Sequence, residues 1–318
     1  MPKTYIIGHQ KPDTDSVVSA LSLEYLFQTD DSFGYQDPEA VIADPVNNET
    51  QYLLDKFQVK APRLLTAQEI KETDQVVLVD HNEESQRLPN LNFNQVCEVV
   101  DHHKVNLNLS QPIYLNFKPW GSTTSIIYFM MKQYTDKPVK PTKQLAGLML
   151  SAILSDTVGF KSSTTTKRDQ KFANELAKLA QVNDIESFAF EILKAKSDLS
   201  GLSPEQLVKY DYKLFDFGQK VLIGQLETVE QEKFIAEKKT QLLSAMLAVK
   251  EEEKLDLIFL AITDVLKVNT KLLIADDQSA RVAQQSFKGI VSSNILDIGP
   301  KLSRKKEIAP VIEKQLKG

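Results

Sequence analysis

The stretch GHQKPDTDS, residues 8–16, gathers a histidine, a proline and two aspartates within nine positions. It follows the apolar and β-prone run Tyr5–Ile7 and precedes a pattern typical of a helix over Ser16–Gln28. A buried strand that runs directly into a helix predicts the beginning of a βα unit. The connecting loop carries one histidine and two aspartates, so side chains with metal or acid–base chemistry are expected where a strand of a parallel sheet ends.

The same alternation of short apolar runs and helical patterns continues through the first part of the chain and predicts an α/β fold with a mostly parallel sheet. The predicted strands are Tyr5–Gly8, Ala40–Ala43, Val76–Val79 and Val96–Val100. The predicted helices are Ser16–Gln28, Asn48–Phe57, Thr123–Tyr134, Pro141–Leu154 and Thr166–Ala180.

A change of composition predicts a second domain. The stretch KAKSDLSGLSPEQ, residues 194–206, gathers Ser, Gly and Pro and interrupts the helical pattern. Beyond it the predicted elements are apolar runs at Lys220–Leu226, Leu257–Ile262 and Leu272–Ala275, with a long helix at about Glu230–Lys250. We therefore expect a first domain over 1–193, a hinge or linker over 194–200 and a smaller mixed α/β domain over 201–318.

The composition limits the class of protein. The 318 residues are 42% hydrophobic and 25% charged, which is ordinary for a soluble globular protein. No leader or membrane-spanning run is evident, and a formal net charge of −5 gives no support for nucleic-acid binding. The single cysteine, Cys97, fits a reducing compartment. We expect a cytoplasmic protein with neither a membrane nor a nucleic acid as partner.

Further strands end in similar residues. The run VVLVDHNE, residues 76–83, ends in Asp80 and His81, and VCEVVDHHK, residues 96–104, ends in a DHH triplet. A predicted helix ends in Asp156, within SDT. All four histidines of the chain, His9, His81, His102 and His103, lie in these segments. Because the carboxyl ends of parallel strands meet at one edge of a sheet, these groups are expected to converge.

Each residue alone has an ordinary structural explanation, because an aspartate after a strand is commonly a helix N-cap and a lone histidine is usually hydrogen-bonded. Several carboxylates and imidazoles on one sheet edge would, however, repel one another unless cations were bound. Oxygen-rich ligation with some imidazole suits Mn²⁺ and its neighbours. Two such ions can hold a hydroxide between them and position a phosphoryl group for attack.

The five motifs GHQKPDTDS, VDHNE, DHH, SDT and SRKK (residues 303–306), in this order, resemble the signature of family II inorganic pyrophosphatases, the manganese- or cobalt-dependent members of the DHH phosphoesterase superfamily. The resemblance covers almost the whole chain. It implies six metal ligands, with Asp80 shared between two ions, a substrate-facing His103, and Asp101 supporting the histidines from behind. The implied ligands are His9, Asp13, Asp15, Asp80, His102 and Asp156.

The resemblance also implies that Lys213, Arg304 and Lys305 bind phosphate in the second domain. Lys306 has no implied role, and His81 has a supporting one. The sequence departs from the family at Lys11, where many members have Asn.

The implied protein is an enzyme that hydrolyses pyrophosphate to two phosphates with a hydroxide between two Mn²⁺ ions. Co²⁺ is a possible substitute, and Mg²⁺ a possible companion of the substrate. The implied fold has an N-terminal DHH domain and a smaller C-terminal DHHA2-type domain, with the active site in the cleft between them. The family also implies a homodimer formed through the N-terminal domain.

Two alternatives stay open. The chain could be an exopolyphosphatase or another phosphoesterase of the DHH superfamily, although it lacks the Gly-Gly pair and the later histidine of the phosphodiesterase branch. It could instead be a non-catalytic metal or phosphate sensor, against which the complete set of six ligands argues. Product analysis with pyrophosphate and longer polyphosphate separates the catalytic alternatives.

Overall fold

The structure, a computed structural model, describes residues 2–108 and 110–317. The chain divides into two compact units, residues 1–196 and 197–318. Within the described residues, none of the helices combines the length and the apolar character that a membrane crossing requires.

The first unit is a parallel α/β structure. Its strands are β1 (Thr4–Ile7), β2 (Pro38–Ile42), β3 (Arg63–Leu64), β4 (Gln75–Val79), β5 (Val96–Asp101) and β6 (Tyr114–Phe117). Its helices are α1 (Thr14–Thr29), α2 (Asn48–Phe57), α3 (Thr123–Gln133), α4 (Lys143–Asp156), α5 (Lys167–Ala180) and α6 (Ile185–Lys196). All strand pairs are parallel, in the order β3-β2-β1-β4-β5-β6.

The strand order reverses at the centre of this sheet. Strand β1 pairs with β2 on one side and with β4 on the other, so the connections that leave β1 and β4 diverge. In open parallel sheets this reversal leaves a crevice at the carboxyl ends of the strands, where ligands bind. The motif at residues 8–16 follows β1, and Asp80 follows β4, so both lie at this crevice.

The sheet is buried on both faces, which explains why its strands are nearly continuous apolar runs. Ile6 and Val77 point to a core formed with helices α1, α3, α4 and α5. Ile7, Leu78 and Val99 point to a second core on the opposite face. Packing on both faces fixes the strand ends and therefore the side chains that follow them.

The second unit is a mixed five-stranded sheet in the order β11-β10-β9-β8-β7, in which only β8 and β9 are parallel. Its strands are β7 (Tyr212–Asp216), β8 (Lys220–Thr228), β9 (Leu257–Asp264), β10 (Asn269–Leu273) and β11 (Ile295–Gly299). Its helices are α7 (Pro204–Val208), α8 (Gln231–Glu252), α9 (Asp277–Phe287) and α10 (Ala309–Lys317), with a π-helical turn at Arg304–Ile308.

The predicted fold class is confirmed, with a mostly parallel sheet in the first unit and a mixed sheet in the second. The pattern missed the short strands β6 and β7, because residues such as Tyr114, Leu115 and Leu214 are exposed and form no apolar run. It also missed α6, which continues through Lys196. Residues 194–196 of the expected hinge are therefore helical.

Candidate metal centre

Six side chains meet at the crevice of the first unit. They come from the loop after β1, the start of α1, the ends of β4 and β5, and the last residue of α4. Every one of them belongs to a group whose ligand atoms all lie within 4.8 Å of one another. The six are His9, Asp13, Asp15, Asp80, His102 and Asp156.

The six residues form two ligand sets that share Asp80. In the first set, His9 Nε2 lies 3.6 Å from Asp13 Oδ1 and 3.6 Å from Asp80 Oδ2. In the second, His102 Nε2 lies 3.4 Å from Asp80 Oδ1 and 3.5 Å from Asp156 Oδ2, and Asp15 joins the same group. The two oxygens of Asp80 thus face different sets, which is the arrangement of a carboxylate shared by two cations.

The backbone of Asp80 has a conformation that few non-glycine residues adopt. Its φ angle is 61°, and its side chain is only 1% exposed. Such strained residues persist where the surrounding structure holds them, commonly at functional sites. The hydroxyl of Thr123 donates to Asp80 Oδ1 at 2.9 Å. This hydrogen bond fixes the orientation of the shared carboxylate.

Two histidines are oriented as metal ligands. His102 Nδ1 donates to the carbonyl of Trp120 at 2.9 Å, and His9 Nδ1 donates to that of Gln10 at 2.7 Å. A hydrogen bond that protonates Nδ1 leaves the lone pair of Nε2 free for a cation. Within the described residues, the buried Nε2 of His102 has no hydrogen-bond partner. A buried nitrogen without a partner at this point fits a metal ion.

The electrostatics of the site also favour cations. Burial, and then the charges of Asp15, Asp13 and Asp156, raise the pKa of Asp80 well above its ordinary value. Burial and the neighbouring carboxylates raise the pKa of Asp156 in the same way. These shifts arise because several negative charges share a space with little water. Divalent cations would relieve this repulsion and keep the carboxylates ionised.

Asp13 combines two functions. It is the N-cap of α1, and its Oδ1 accepts a hydrogen bond of 3.0 Å from Ser16 N. The same oxygen faces His9 in the first ligand set. The ordinary explanation of an aspartate after a strand therefore holds here together with the metal-ligand hypothesis. Gly8 lets the end of β1 lie close to Ser16 of α1, because a Cβ at position 8 would lie 1.8 Å from Ser16 Oγ.

The start of helix α3 binds the side chain of Asp15, a contact that the sequence did not predict. The backbone N–H groups of Thr123 and Thr124 donate to the two oxygens of Asp15, at 2.6 and 3.0 Å. The free N–H groups and the positive end of the helix dipole stabilise a carboxylate at a helix start. The only signal in the sequence is the capping residue Ser122 before the helix.

Asp101, for which the family resemblance implied a supporting role, contacts His103. Its Oδ1 lies 2.9 Å from His103 Nδ1 and accepts the His103 backbone N–H at 3.0 Å, while Asn82 Nδ2 donates to its Oδ2 at 2.6 Å. The hydrogen bond with Asp101 raises the pKa of His103. The His103 side chain is 55% exposed, so its ring is accessible from solvent. Asn82 is a further contact that the sequence did not reveal.

His81 lies outside the ligand groups found among the described residues. Its Nδ1 donates to the carbonyl of Val79 at 2.9 Å, and its side chain is buried. Burial lowers the pKa of His81 to about 4, so the ring is neutral. The ring of His9 lies 6.4 Å away, edge to face. These contacts place His81 beside His9, and its supporting role stays a prediction.

A buried carboxyl group and a lysine lie beside the ligands and were also missed. Glu49 is 3% exposed and accepts a hydrogen bond of 3.1 Å from Thr14 Oγ1. Lys196 Nζ lies 3.9 Å from Glu49 Oε2 and donates to Ser155 Oγ at 3.2 Å. Burial raises the pKa of Glu49. Lys196 adds a positive charge next to Asp156, which no motif in the sequence indicated.

The cations predicted to bind phosphate lie in the second unit, in different environments. Lys213 is exposed on β7, and Lys305 is exposed in the π-helical turn. Arg304, in contrast, is only 8% exposed and pairs with Asp211 at 2.8 Å. Lys306 is exposed next to Lys305.

Lys11, the departure from the family motif, is exposed in the loop between β1 and α1. Its backbone has a φ of 50°, in the left-handed region, and its N–H donates to Asp44 Oδ2 at 2.7 Å. Asn is among the residues that tolerate this conformation best. The position therefore has a backbone requirement that Asn meets better than Lys.

Comparisons with known proteins agree with this architecture. Residues 3–153 match the family model of the "DHH family, N-terminal domain", and residues 190–315 match that of the "DHHA2 domain". The chain is 38% identical to the manganese-dependent inorganic pyrophosphatase of Methanocaldococcus jannaschii, with 99% of both chains covered. It is also 38% identical to the manganese-dependent inorganic pyrophosphatase of Bacillus subtilis, with 98% of each covered.

A solved structure agrees as well. The crystal structure of a Methanococcus jannaschii protein assigned to family II inorganic pyrophosphatases superposes with a TM-score of 0.64. The two are 36% identical, and the match covers 99% of this chain and 100% of the other.

A parallel sheet with two carboxylate–imidazole ligand sets at its crevice, followed by a mixed α/β unit, defines a two-domain protein of the DHH class. Full-length identity to curated relatives gives the narrower assignment. The chain belongs to the family II, manganese-dependent inorganic pyrophosphatases.

Proposed function

We propose that this protein hydrolyses inorganic pyrophosphate to two phosphates at a binuclear manganese centre. The observation that carries the proposal is the sharing of Asp80, whose two oxygens face two separate ligand sets. The manganese in the names of the relatives agrees with the mixture of carboxylate and imidazole ligands. Co²⁺ is proposed as a substitute, and Mg²⁺ as the ion that accompanies the substrate.

The ligands are proposed to divide between two ions. His9, Asp13 and Asp80 would hold one, while Asp80, Asp15, His102 and Asp156 would hold the other. Two bound Mn²⁺ ions would lower the pKa of a water molecule between them and offset the charge of a phosphoryl group. Thr123 keeps Asp80 oriented towards both sets, and Asp101 keeps His103 in place for the substrate.

Substrate binding is proposed for four cationic or imidazole side chains. The exposed ring of His103 is positioned to donate a hydrogen bond to a phosphoryl oxygen. Lys213, Arg304 and Lys305 of the second domain would neutralise the remaining charge of pyrophosphate, and Arg can bind phosphate through two parallel hydrogen bonds.

The proposed domain organisation assigns residues 1–193 to metal binding and residues 201–318 to substrate binding. The connection over 194–200 would act as a hinge that lets both domains contact the substrate. Gly201, directly after it, has a φ of 83°, a conformation that glycine adopts without strain.

A homodimer through the first domain is part of the proposal. Strand β6 is the edge of its sheet, and Tyr114 and Leu115 are 74% and 49% exposed there. Exposed edge strands with apolar side chains favour pairing with another chain. A cytoplasmic location is also proposed, because the single cysteine, Cys97, cannot form a disulfide within the chain and fits a reducing compartment.

The test is release of phosphate from pyrophosphate by protein that has been stripped of metal and reloaded with Mn²⁺. We expect rapid hydrolysis with Mn²⁺ and none after chelation. Tripolyphosphate and longer polyphosphate serve as competing substrates. Preference for the longer chains would replace this proposal with an exopolyphosphatase, and a protein that binds Mn²⁺ without releasing phosphate would support a sensor.

A further inference from the structure

The guanidinium group of Arg304 is held inside the second unit. NH1 donates to the carbonyl of Asp211 at 2.5 Å and to that of Ile223 at 3.5 Å, and NH2 donates to Asp211 Oδ1 at 2.8 Å. The buried Nε has no hydrogen-bond partner among the described residues. Since a guanidinium has five N–H donors, at least three are in use, and few remain for a phosphate.

The backbone that leads into Arg304 is also fixed. Gln225, which is 6% exposed on β8, donates to the carbonyl of Leu302 at 2.9 Å and accepts the N–H of Arg304 at 3.3 Å. Thr270 Oγ1 donates to the carbonyl of Lys301 at 2.8 Å. With the main chain anchored in this way, release of the guanidinium requires a change of side-chain rotamer rather than movement of the segment.

The two kinds of acceptor that hold Arg304, backbone carbonyls and a carboxylate, differ in how easily a ligand can displace them. The carbonyls belong to the backbone, whereas the carboxylate of Asp211 is 59% exposed in its side chain. A partly exposed ion pair is weakened by water and salt. A multiply charged phosphate that approaches from solvent can therefore compete with this carboxylate for NH2.

We infer that Asp211 lowers the affinity of the enzyme for pyrophosphate by competing with the substrate for the guanidinium of Arg304. This inference rests on the proposed function, since it takes Arg304 as a ligand of the substrate. Asp211 is then a positioning residue that acts through Arg304. It sets the concentration range in which the enzyme responds to pyrophosphate, and it keeps a buried cation paired when no substrate is bound.

The test is steady-state hydrolysis of pyrophosphate by the Mn²⁺-loaded protein and its Asp211→Asn variant. The amide keeps the shape of the side chain and leaves both backbone acceptors in place. We expect KM to fall about two- to fivefold, the usual strength of one partly exposed ion pair, with kcat nearly unchanged. The separate variant Asp211→Glu, which keeps the charge, should have a KM close to that of the unmodified protein.

Two further variants separate this effect from a change in net charge or in folding. Glu237→Gln removes a carboxylate from an exposed position on α8 of the same unit and should leave KM unchanged. In an Arg304→Ala background, Asp211→Asn should have no further effect on KM, because the two residues act as one pair.

The outcomes distinguish this inference from the proposed function. An unchanged or raised KM in Asp211→Asn, with normal hydrolysis by the unmodified protein, overturns the competition but leaves the pyrophosphatase in place. An equal fall of KM in Glu237→Gln shows a general charge effect and also overturns it. Absence of hydrolysis by the Mn²⁺-loaded unmodified protein overturns the proposed function itself.

Discussion

Thr123 donates its hydroxyl to Asp80 across 2.9 Å, although the two residues lie 43 positions apart in the chain. The donor stands at the first turn of α3, and the acceptor is the carboxylate shared by both ligand sets. The bond therefore connects the orientation of the candidate metal centre to the start of a buried helix. It also defines a way to weaken the site without removing a ligand.

Thr123→Val should weaken Mn²⁺ binding by about 10–100-fold, because it removes a hydrogen bond that orients a ligand while it keeps the side-chain shape. Calorimetric titration of the metal-free protein with Mn²⁺ measures the effect. Thr124→Val is the matched control, since the hydroxyl of Thr124 bonds Ser19 instead, at 3.1 Å. Equal losses in both variants would mean that the bond to Asp80 has no special effect.

Asp80→Asn should reduce Mn²⁺ binding far more than Asp101→Asn. Asp80 faces both ligand sets, whereas Asp101 contacts His103 and Asn82. Asparagine tolerates the positive φ of Asp80, so the substitution tests the charge rather than the backbone. For Asp101→Asn we expect a loss of about 10–100-fold. Titration of both variants with Mn²⁺ provides the comparison, and similar losses would contradict the sharing of Asp80.

These two predictions mark what the sequence could and could not show. Asp156 ends helix α4. The convergence of the other candidate ligands was predictable because they follow strands, and parallel strands bring their ends together whatever the intervening residues are. The groups that orient the ligands were not. A helix start such as Ser122–Thr124 has the same sequence signal whether its N–H groups bind water or the carboxylate of Asp15, which lies over one hundred positions away.

The same limit applies to the second domain. The SRKK motif predicted that Arg304 binds phosphate. Its pairing with Asp211, 93 positions earlier, depends on the register of β7 and β8. Strand β7 is short and mostly exposed, so its apolar pattern is too weak to fix that register. The pairing of Arg304 with Asp211 could therefore not be predicted from the sequence.

The identity of the metal should control activity. Reloaded with Mn²⁺ or Co²⁺, the metal-free protein should be more active than with Zn²⁺, and Mg²⁺ should bind more weakly. Imidazole nitrogens favour transition ions over Mg²⁺, which prefers oxygen ligands and retains its water. Phosphate release after reloading with each ion measures the order. Full activity with Mg²⁺ alone, without any gain from Mn²⁺, would contradict the ligand set proposed here.

Glu98→Gln should stabilise the protein near pH 7. Glu98 is 5% exposed on β5 and accepts a hydrogen bond of 2.7 Å from the hydroxyl of Tyr35. Burial raises the pKa of Glu98, so the folded state holds the proton more tightly than the unfolded state does. The stabilisation associated with the neutral form is complete below the unfolded pKa and is lost as the pH rises through the folded pKa.

The amide cannot ionise, so its advantage should be present at pH 7 and should disappear as the pH falls towards 4. Thermal unfolding of both proteins at a series of pH values measures this difference. A difference in Tm that is constant with pH would show that ionisation of Glu98 is not its cause.

Lys11→Asn should raise the free energy of unfolding by about 0.5–1 kcal/mol, because Asn adopts the left-handed backbone at this position with less strain. The φ of Lys11 is 50°, and its backbone bond to Asp44 does not depend on the side chain. Chemical denaturation measures the gain. Lys60→Asn, at an exposed position outside the left-handed region, is the control for the change in charge. Equal effects at both positions would exclude a backbone origin.

Arg304→Ala should retain both metal ions and lose most of the catalytic rate. Arg304 lies in the second unit and the six proposed metal ligands lie in the first, so its proposed effect on the reaction is through the substrate. Loss of one charge-assisted donor to a reacting group typically costs about 10²–10³ in rate. Lys305→Ala should behave similarly, and the double variant should be less than additive if both side chains hold the same phosphate.

Lys306→Ala, exposed on the same turn and without a proposed role, is the matched control. Elemental analysis gives the metal content, and steady-state kinetics with pyrophosphate gives kcat and KM. Near-normal kinetics for Arg304→Ala, or an equal loss for Lys306→Ala, would mean that Arg304 does not bind the substrate specifically.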